Sequence, residues 1–440
     1  MNHILKIQHL GPIEKCEIKL NQFTVLTGPQ SNGKSTVAKA IFFFRTVKQD
    51  ILQIMMQGGP KAITGKDNAQ WERVLSQKMK DKFLQLFGTS WVMPQDMYME
   101  YIYKKDVSIK VSLSDGDHDN VANYLRIEFS DKIRSHITEL EYTNYQNMTA
   151  PQKDYESKIL NRLFDDQYET VFIPAGRNLI TLLSTQLNYI FTSLEGSQLR
   201  NIDYVTKRYT ELILKLKPLF VNGMDGLWAS EKNSIQRPTP IPSAIKLLLK
   251  DAHTVLCSKY KYVDGEERLY LDSNRYVKIN LASSGQQEIV WVFNLLFYYL
   301  LENKKVFLIL EEPESHLYPE SQRIIREVLS LFCNCGNAEL ITTHSPYLLG
   351  TFNYLLMAHQ CPETRQEVIK EKVHKYKWLD PNDTCACFIC DGYLENALSD
   401  EDDLVLIQNE RIDGASKNIN QIGDLLLEQF WEVESDGQPT

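Results

Sequence analysis

Four short stretches carry residues whose types and spacing can act on a phosphate. In "GPQSNGKST" (28–36), Gly28, Gly33, Lys34 and Ser35 stand at the spacing G-x-x-x-x-G-K-S, between an apolar run and a helix-forming one. The two glycines let the backbone of Pro29, Gln30, Ser31 and Asn32 curl so that successive N–H groups face phosphate oxygens. The helix that starts through Lys34, Ser35 and Thr36 turns its positive end to the same oxygens. Lys34 can bridge the β- and γ-phosphates, and the Ser35 hydroxyl can hold Mg2+. In "LILEEPESHLYPE" (308–320) an apolar run ends in two adjacent carboxylates; Glu311 can assist the metal while Glu312 orients and deprotonates an attacking water. "AELITTHSPYLL" (338–349) ends its own apolar run in Thr342, Thr343 and His344, an imidazole placed to touch a γ-phosphate. The weakest of the four is "LASSGQQEIVW" (281–291), where Ser283, Ser284, Gly285 and Gln286 open a helix, either as a second anion site or as an ordinary cap.

Such groups must be delivered to one point by strand ends, and the rest of the chain supplies the strands. The spacing predicts a strand over 23–27, then the glycine loop, then a helix over 34–48. Before it, "ILKIQHLGPIEKCEIKL" alternates apolar and polar residues on both sides of Gly11-Pro12, as a hairpin does. Residues 36–88 read as largely helical, broken at 58–68. Residues 97–130 alternate and contain Asp115-Gly116, a turn between antiparallel strands. Residues 131–168 are polar and helical in tendency, interrupted at Pro151. "YETVFIPAGRNLITLL" (168–183) is strand, tight turn and helix. It puts Arg177 at a strand's carboxyl end, where it either contacts phosphate, nucleic acid or a partner, or pairs with a carboxylate. "RPTPIPS" (237–243) reads as a linker, and three strands follow before the S-S-G loop. The fully apolar runs before Glu311 and Thr342 are those of parallel strands buried on both faces. The chain thus divides into the first part of a nucleotide-binding core (1–50), an insertion of helices and antiparallel strands (51–167), a helical subdomain with linker (168–243), and the second part of the core (244–440).

Apolar content of 43% with 24% charged residues, over 440 residues, describes a folded chain large enough for two or three structural units. A net charge of −9 excludes a surface that is basic throughout, though not a local basic groove. "MNHILKIQHLGPIEK" has neither the basic start nor the apolar stretch of a secretion signal. "IVWVFNLLFYYLL" (289–301) is too short to span a bilayer and contains Asn294, so it reads as a buried helix and the protein as cytoplasmic. The eight cysteines are not a disulfide framework in such a chain. "CACFIC" (385–390), with Cys333 and Cys335, is either half a zinc site or a set of small buried hydrophobes; the spacing favours the second. Heptads are not sustained, so no long coiled-coil arm is expected.

Taken together and in this order, residues 28–35, 282–286, 310–319 and 343–346 resemble the ABC-type ATPases. The closer resemblance is to the overcoming-lysogenization-defect (OLD)-like branch (AAA15/AAA21). It extends to stand-alone ATPase subunits of bacterial anti-phage defence systems: Septu, PARIS and retron-associated ATPases. The pattern EEPE-x-HLxP stands here at 311–319, TTHSP at 342–346 and IPAGR at 173–177. The resemblance covers 1–45 and 280–350 well, and 168–180 and 384–430 less. It implies an α/β fold, a P-loop NTPase of ABC-ATPase type whose mixed sheet is flanked by helices, here with a long helical and antiparallel-β insertion. It also implies ATP and Mg2+ as cofactors and head-to-tail pairs, with nucleotide held between the phosphate loop of one subunit and the S-S-G loop of the other. Ser283 and Gly285 would then act on the γ-phosphate held by Lys34 of a partner. Glu311 would serve the metal with Ser35, Glu312 would be the base, His344 the γ-phosphate sensor, and residues 315–318 the loop that crosses the interface. Two departures stand out: the glutamine that links the lobes in this family has only Gln95 as a weak counterpart, and Tyr318 stands where many transporters have an aspartate.

The function so implied is an ATPase sensor or scaffold, a homodimer or higher homo-oligomer. It controls an effector nuclease encoded nearby and answers a phage-derived trigger, with nucleic acid as a further candidate partner and no membrane. Three alternatives are weaker. A DNA-repair ATPase similar to Rad50, RecF and SMC heads would want the missing coiled coil. A transporter subunit would want the linking glutamine and no long insertion. The third is an enzyme with unrecognised nuclease chemistry of its own; for the Toprim domain that OLD nucleases append, the stretch after His344 is too short, on the order of half a typical domain.

Overall fold

The computed structural model describes residues 2–59, 70–89, 92–113, 125–140, 148–183, 186, 203–232, 241–401, 404–408 and 420–426. Its strands are β1 (Ile4–Leu10), β2 (Ile13–Lys19), β3 (Phe23–Thr27), β4 (Tyr98–Lys104), β5 (Val107–Leu113), β6 (Leu125–Phe129), β7 (Glu169–Ile173), β8 (Lys259–Val263), β9 (Glu266–Tyr270), β10 (Tyr276–Lys278), β11 (Val306–Glu311), β12 (Ala338–Thr342), β13 (Thr384–Cys390), β14 (Tyr393–Asn396), β15 (Leu398–Glu401) and β16 (Leu404–Ile407). Eleven of them form one sheet in the order β6-β5-β4-β1-β2-β14-β13-β3-β12-β11-β7. From β13 to β7 the pairs are parallel. From β2 out to β6 they are antiparallel. β14 joins the two halves, antiparallel to β13 and parallel to β2.

Side-chain alternation along each strand explains why the parallel half is apolar throughout. On β11, Val306, Leu308 and Leu310 enter one core with Val25 and Ile341. The intervening Phe307 and Ile309 enter a second core on the other face, with Leu26, Leu340 and Ile389. Helix α1 (Lys34–Arg45) fills that second core with Val37, Ile41 and Phe44. The first core is covered by α3 (Ile241–Leu256), α4 (Ser284–Leu301), α5 (Pro319–Asn334) and α6 (Pro346–Gln360). The apolar run of 289–301 is the interior of α4, buried nearly all round. Among the described residues no helix is long and apolar enough to cross a membrane.

The alternating stretch of 97–130 does not stand apart: β4 pairs with β1 in register Ile4↔Ile102, and β5 and β6 extend the same sheet outward. On its open face the registered neighbours Glu17, Lys6, Glu100, Lys110 and Glu128 alternate in sign across five strands. Pro151 begins a helix and does not interrupt one. It stands in the first turn of α2 (Ala150–Leu163), where a proline's missing N–H has no partner to lose, and Thr149 with Gln152 forms a capping box ahead of it. The expected helix over 34–48 is two, meeting at Thr46. The proline-rich stretch yields α3 from Ile241 onward. Residues 237–240, the Asp115-Gly116 turn and most of the break at 58–68 lie outside the described residues.

Candidate nucleotide-binding site

Because β3, β12 and β11 are parallel neighbours, their carboxyl ends open side by side. Backbone bonds continue the alignment past the strands, from Thr343 N–H to Leu26 O (3.0 Å) and from Glu312 N–H to Thr342 O (2.9 Å). The loop after β3, the acids after β11 and the histidine after β12 are thereby brought to one edge.

The loop is shaped from behind. Gly28 has φ 136° and sits under β13, where a Cβ would run into the Ile389 carbonyl; Gly33 caps α1 at φ 98° against Ile13. At Gly28 another residue would have to displace the β13 backbone, and at Gly33 it would press on the Ile13 side chain in a left-handed conformation that favours glycine. Asn32 braces the far side, its Nδ2 donating to Gln30 O (3.2 Å) and its Oδ1 accepting from Asp391 N–H (3.0 Å). Lys34 is buried and folds back on its own loop, donating to Gly28 O (2.8 Å) and Pro29 O (2.7 Å). Burial lowers its pKa, while Glu312 and Glu314 act in the opposite sense, so those acids lie within electrostatic reach of the ammonium. Ser35 is exposed at the head of α1, beside the half-buried Thr36.

The two acids stand in different surroundings. Glu311 is buried; its Oε2 accepts from Ala175 N–H (3.2 Å), and its Oε1 has no hydrogen-bond partner. An orphaned carboxylate oxygen beside a phosphate loop fits a hard cation, and Mg2+ takes one or two protein oxygens plus phosphate. Ser35 and Glu311 are the residues that would hold it, and the ion would supply charge neutralisation at the phosphates. Glu312 is half-exposed, with φ 43°, a left-handed conformation that costs a non-glycine residue about 1–3 kcal/mol and gathers at functional sites. Its Oε2 accepts from the Ser315 hydroxyl (3.2 Å), and its Oε1 lies 3.9 Å from His344 Nδ1. Glu312 and His344 therefore face each other across the strand ends, with Lys34 within electrostatic reach of Glu312.

The other predicted groups lie elsewhere. Ser283 caps α4, accepting from Gln286 N–H (3.3 Å) while Gln286 Oε1 accepts from Ser283 N–H (3.1 Å). Its hydrogen bonds stay within this cap, and Ser283 and Ser284 are exposed. Gly285 packs on the loop after Glu314, where a Cβ would come within 2.6 Å of His316 O. Behind it, Gln286 Nε2 donates to Leu256 O, and Trp291 donates to Glu267, which also receives Tyr260 and Lys217, so the small sheet β8–β10 props the helix. Gln95 is exposed in the turn before β4, next to Asp96, which bonds Gln8 and His9.

Arg177 resolves to the ion pair. It is fully buried, pairs with Glu288 of α4 (3.1 Å), and donates to the carbonyls of Pro174, Glu311 and Glu312. It pins the acid-bearing strand end from behind and has no open face for a phosphate. Cys385 and Cys387 are free thiols with sulfurs 3.6 Å apart, and Cys333, Cys335 and Cys387 are buried. Among the described residues no three His, Cys, Asp or Glu side chains gather to hold a metal by themselves. Sequence reading passed over Glu314, whose Oε1 accepts from Thr343 Oγ1 and His344 N–H. The third acid of "EEPE" was visible, but its partners were not.

Strand order and the loop–helix junction after β3 define the class: a P-loop ATPase fold of ABC type, a mixed sheet between helices. The chain belongs to the AAA ATPase domain family, whose model matches residues 1–349. No curated protein matches it. Among solved structures it is similar to an Smc head bound to the C-winged helix domain of ScpA, at 10% identity and TM-score 0.40, over 89% of this chain and 95% of that one. An Smc head with an extended coiled coil, bound to the C-terminal domain of ScpA and derived from Pyrococcus furiosus, is similar at 12% identity and TM-score 0.37, over 95% and 98% of the two chains. The SMC head domain from Thermotoga maritima follows at 13% identity and TM-score 0.34, over 80% and 92%.

Proposed function

We propose that this protein binds Mg–ATP and hydrolyses it as a switch, in head-to-tail pairs of the same chain, as the sensor or scaffold subunit of a bacterial anti-phage defence system. The nuclease it controls is supplied by another polypeptide encoded nearby, and a phage-derived molecule sets the switch. The observation that carries the ATPase half is the approach of Glu312 to His344 at adjacent strand ends, within electrostatic reach of Lys34, with the exposed Ser283 and the half-buried Gly285 turned to their own cap and loop. A Ser283 that stays out of its own chain's phosphate loop is free to serve a partner's. Support for the defence half is the motif set EEPESHLYP and TTHSP.

Glu312→Gln is the direct test of the first half. A positioned general base contributes about 10²–10⁴ in rate, so phosphate release should fall by that factor while ATP binding, read with a fluorescent analogue, persists. Unchanged turnover would overturn the assignment. The second half is read by plaque counts on cells carrying this chain with its neighbouring genes. Protection should vanish with Lys34→Ala, and equal protection with that variant would remove ATP from the mechanism. Cleavage of nucleic acid by the purified chain alone would defeat the placement of the nuclease in trans.

A further inference from the structure

Glu314 has no part in the reaction as described, yet it is bound more closely to its surroundings than Glu311 or Glu312. Its Oε1 accepts from the Thr343 hydroxyl (2.6 Å) and the His344 N–H (3.1 Å), and its buried Oε2 meets no donor. The contacts continue and close on themselves. Thr343 Oγ1 accepts from Ser345 N–H (3.0 Å), and the Ser345 hydroxyl donates to Gln322 Oε1 (2.6 Å). Gln322 Nε2 donates to Leu317 O (2.9 Å), and Leu317 N–H returns to Glu314 O (3.0 Å). The ring joins the histidine loop, the acid-bearing strand end and the loop 315–318. That loop also holds Glu312, through Ser315 N–H to Glu312 O (3.1 Å) and the Ser315 hydroxyl to Glu312 Oε2, and its His316 carbonyl abuts Gly285.

A buried carboxylate oxygen that loses its donors is left desolvated and unpaired, so the histidine loop cannot move away from Glu314 alone. Movement has to be shared around the ring. We propose that Glu314 and Gln322 are positioning residues of the ATPase: Glu314 fixes His344 against the nucleotide, and Gln322 passes a displacement of the histidine loop to residues 315–318 and so to Gly285 of the same chain. The coupling runs through side chains in a chain whose interface loop carries Tyr318 where an aspartate is usual. The proposal rests on the ATPase reading above.

The test uses the full chain, four single variants and one double variant. Glu314→Gln keeps an oxygen facing Thr343 and His344, and turnover should stay within about three-fold of wild type, whereas Glu314→Leu should lose about 10²-fold in kcat with KM changed less than about three-fold. Gln322→Glu keeps the acceptor for Ser345 but loses the donor to Leu317, and Gln322→Leu loses both. Both should lower kcat about ten-fold at an unchanged melting temperature, because the arm to residues 315–318 is what they share. The double variant Glu314→Leu/Gln322→Leu should cost no more than the worse single change, as residues acting as a unit do. Additive losses, no rescue by Glu314→Gln, or a Gln322→Leu enzyme equal to wild type would overturn the ring. A wild-type chain that releases no phosphate from ATP would instead sink the ATPase reading, and the ring with it.

Discussion

His3 sets a limit on the pH at which this fold holds. Its ring is wholly buried, and Nε2 lies 3.2 Å from Asp165 O, an atom that can only accept. Nε2 therefore carries the proton, and Nδ1 is left to accept from the Tyr101 hydroxyl (3.0 Å) and Arg45 Nη1 (3.2 Å). Neutral imidazole satisfies every partner. Burial first, and the Arg45 guanidinium second, push its pKa from 6.5 to about 3. The unfolded chain keeps the ordinary value, so between pH 6.5 and 3 it takes up a proton that the folded chain refuses, and stability falls as pH drops through that window. At pH 5 the loss from this one group is about 2 kcal/mol. Urea unfolding should show that His3→Gln loses about that much less than wild type between pH 7 and pH 5; parallel profiles would refute it. The motif residues were legible because each chemistry demands a residue type at a fixed spacing. His3 was not, since its partners come from 42 to 162 positions away.

Among the elements, the joint between β7, β11 and α4 matters most to the acids. Arg177 is its pin, serving four carbonyls and the Glu288 carboxylate from one buried guanidinium. Removing the arginine strands a buried charge. Arg177→Ala should therefore cost about 3–5 kcal/mol in chemical denaturation. Arg177→Lys should recover only part of it, because an ammonium cannot match the planar fork. A loss under 1 kcal/mol, of the order of an exposed pair, would show that the joint is held by packing alone. The strands and the loops after them could be read from apolar runs that stop at polar residues. The joint could not, because Arg177 sits two residues past Ala175 in a stretch that equally suits a ligand contact, and its partner belongs to a helix 111 positions on.

Over the whole molecule, the sheet divides the chain between two cores and leaves a charged face on its antiparallel half. The row Glu17, Lys6, Glu100, Lys110, Glu128 alternates in sign across neighbouring strands, which favours the pairing and offers no run of cations to a phosphate backbone. The proposed pairing of copies would draw on the S-S-G loop and the loop 315–318, where Leu281 and Tyr318 stand 74% and 78% exposed. Light scattering on Glu312→Gln with Mg–ATP should show the mass of two chains, and the mass of one without nucleotide. A single-chain mass in both would refute the sandwich. The joining of β4–β6 to the main sheet escaped the sequence, because alternation reports that a strand has one wet face and says nothing about which strand lies beside it.

β3 carries the phosphate loop, yet both its neighbours are far down the chain: Phe23 pairs with Glu339 on one side and Thr384 on the other. As the chain leaves the ribosome, β3 emerges early and then waits, edges open, for nearly the whole remainder to be made, and closing so long a loop is slow. A product that stops before residue 384 keeps every motif residue and still lacks the strand that seats Gly28 against Ile389. Under the proposed ATPase reading, the phosphate loop is thus seated only once β13 has been made, and ATP affinity would report whether synthesis has passed residue 390.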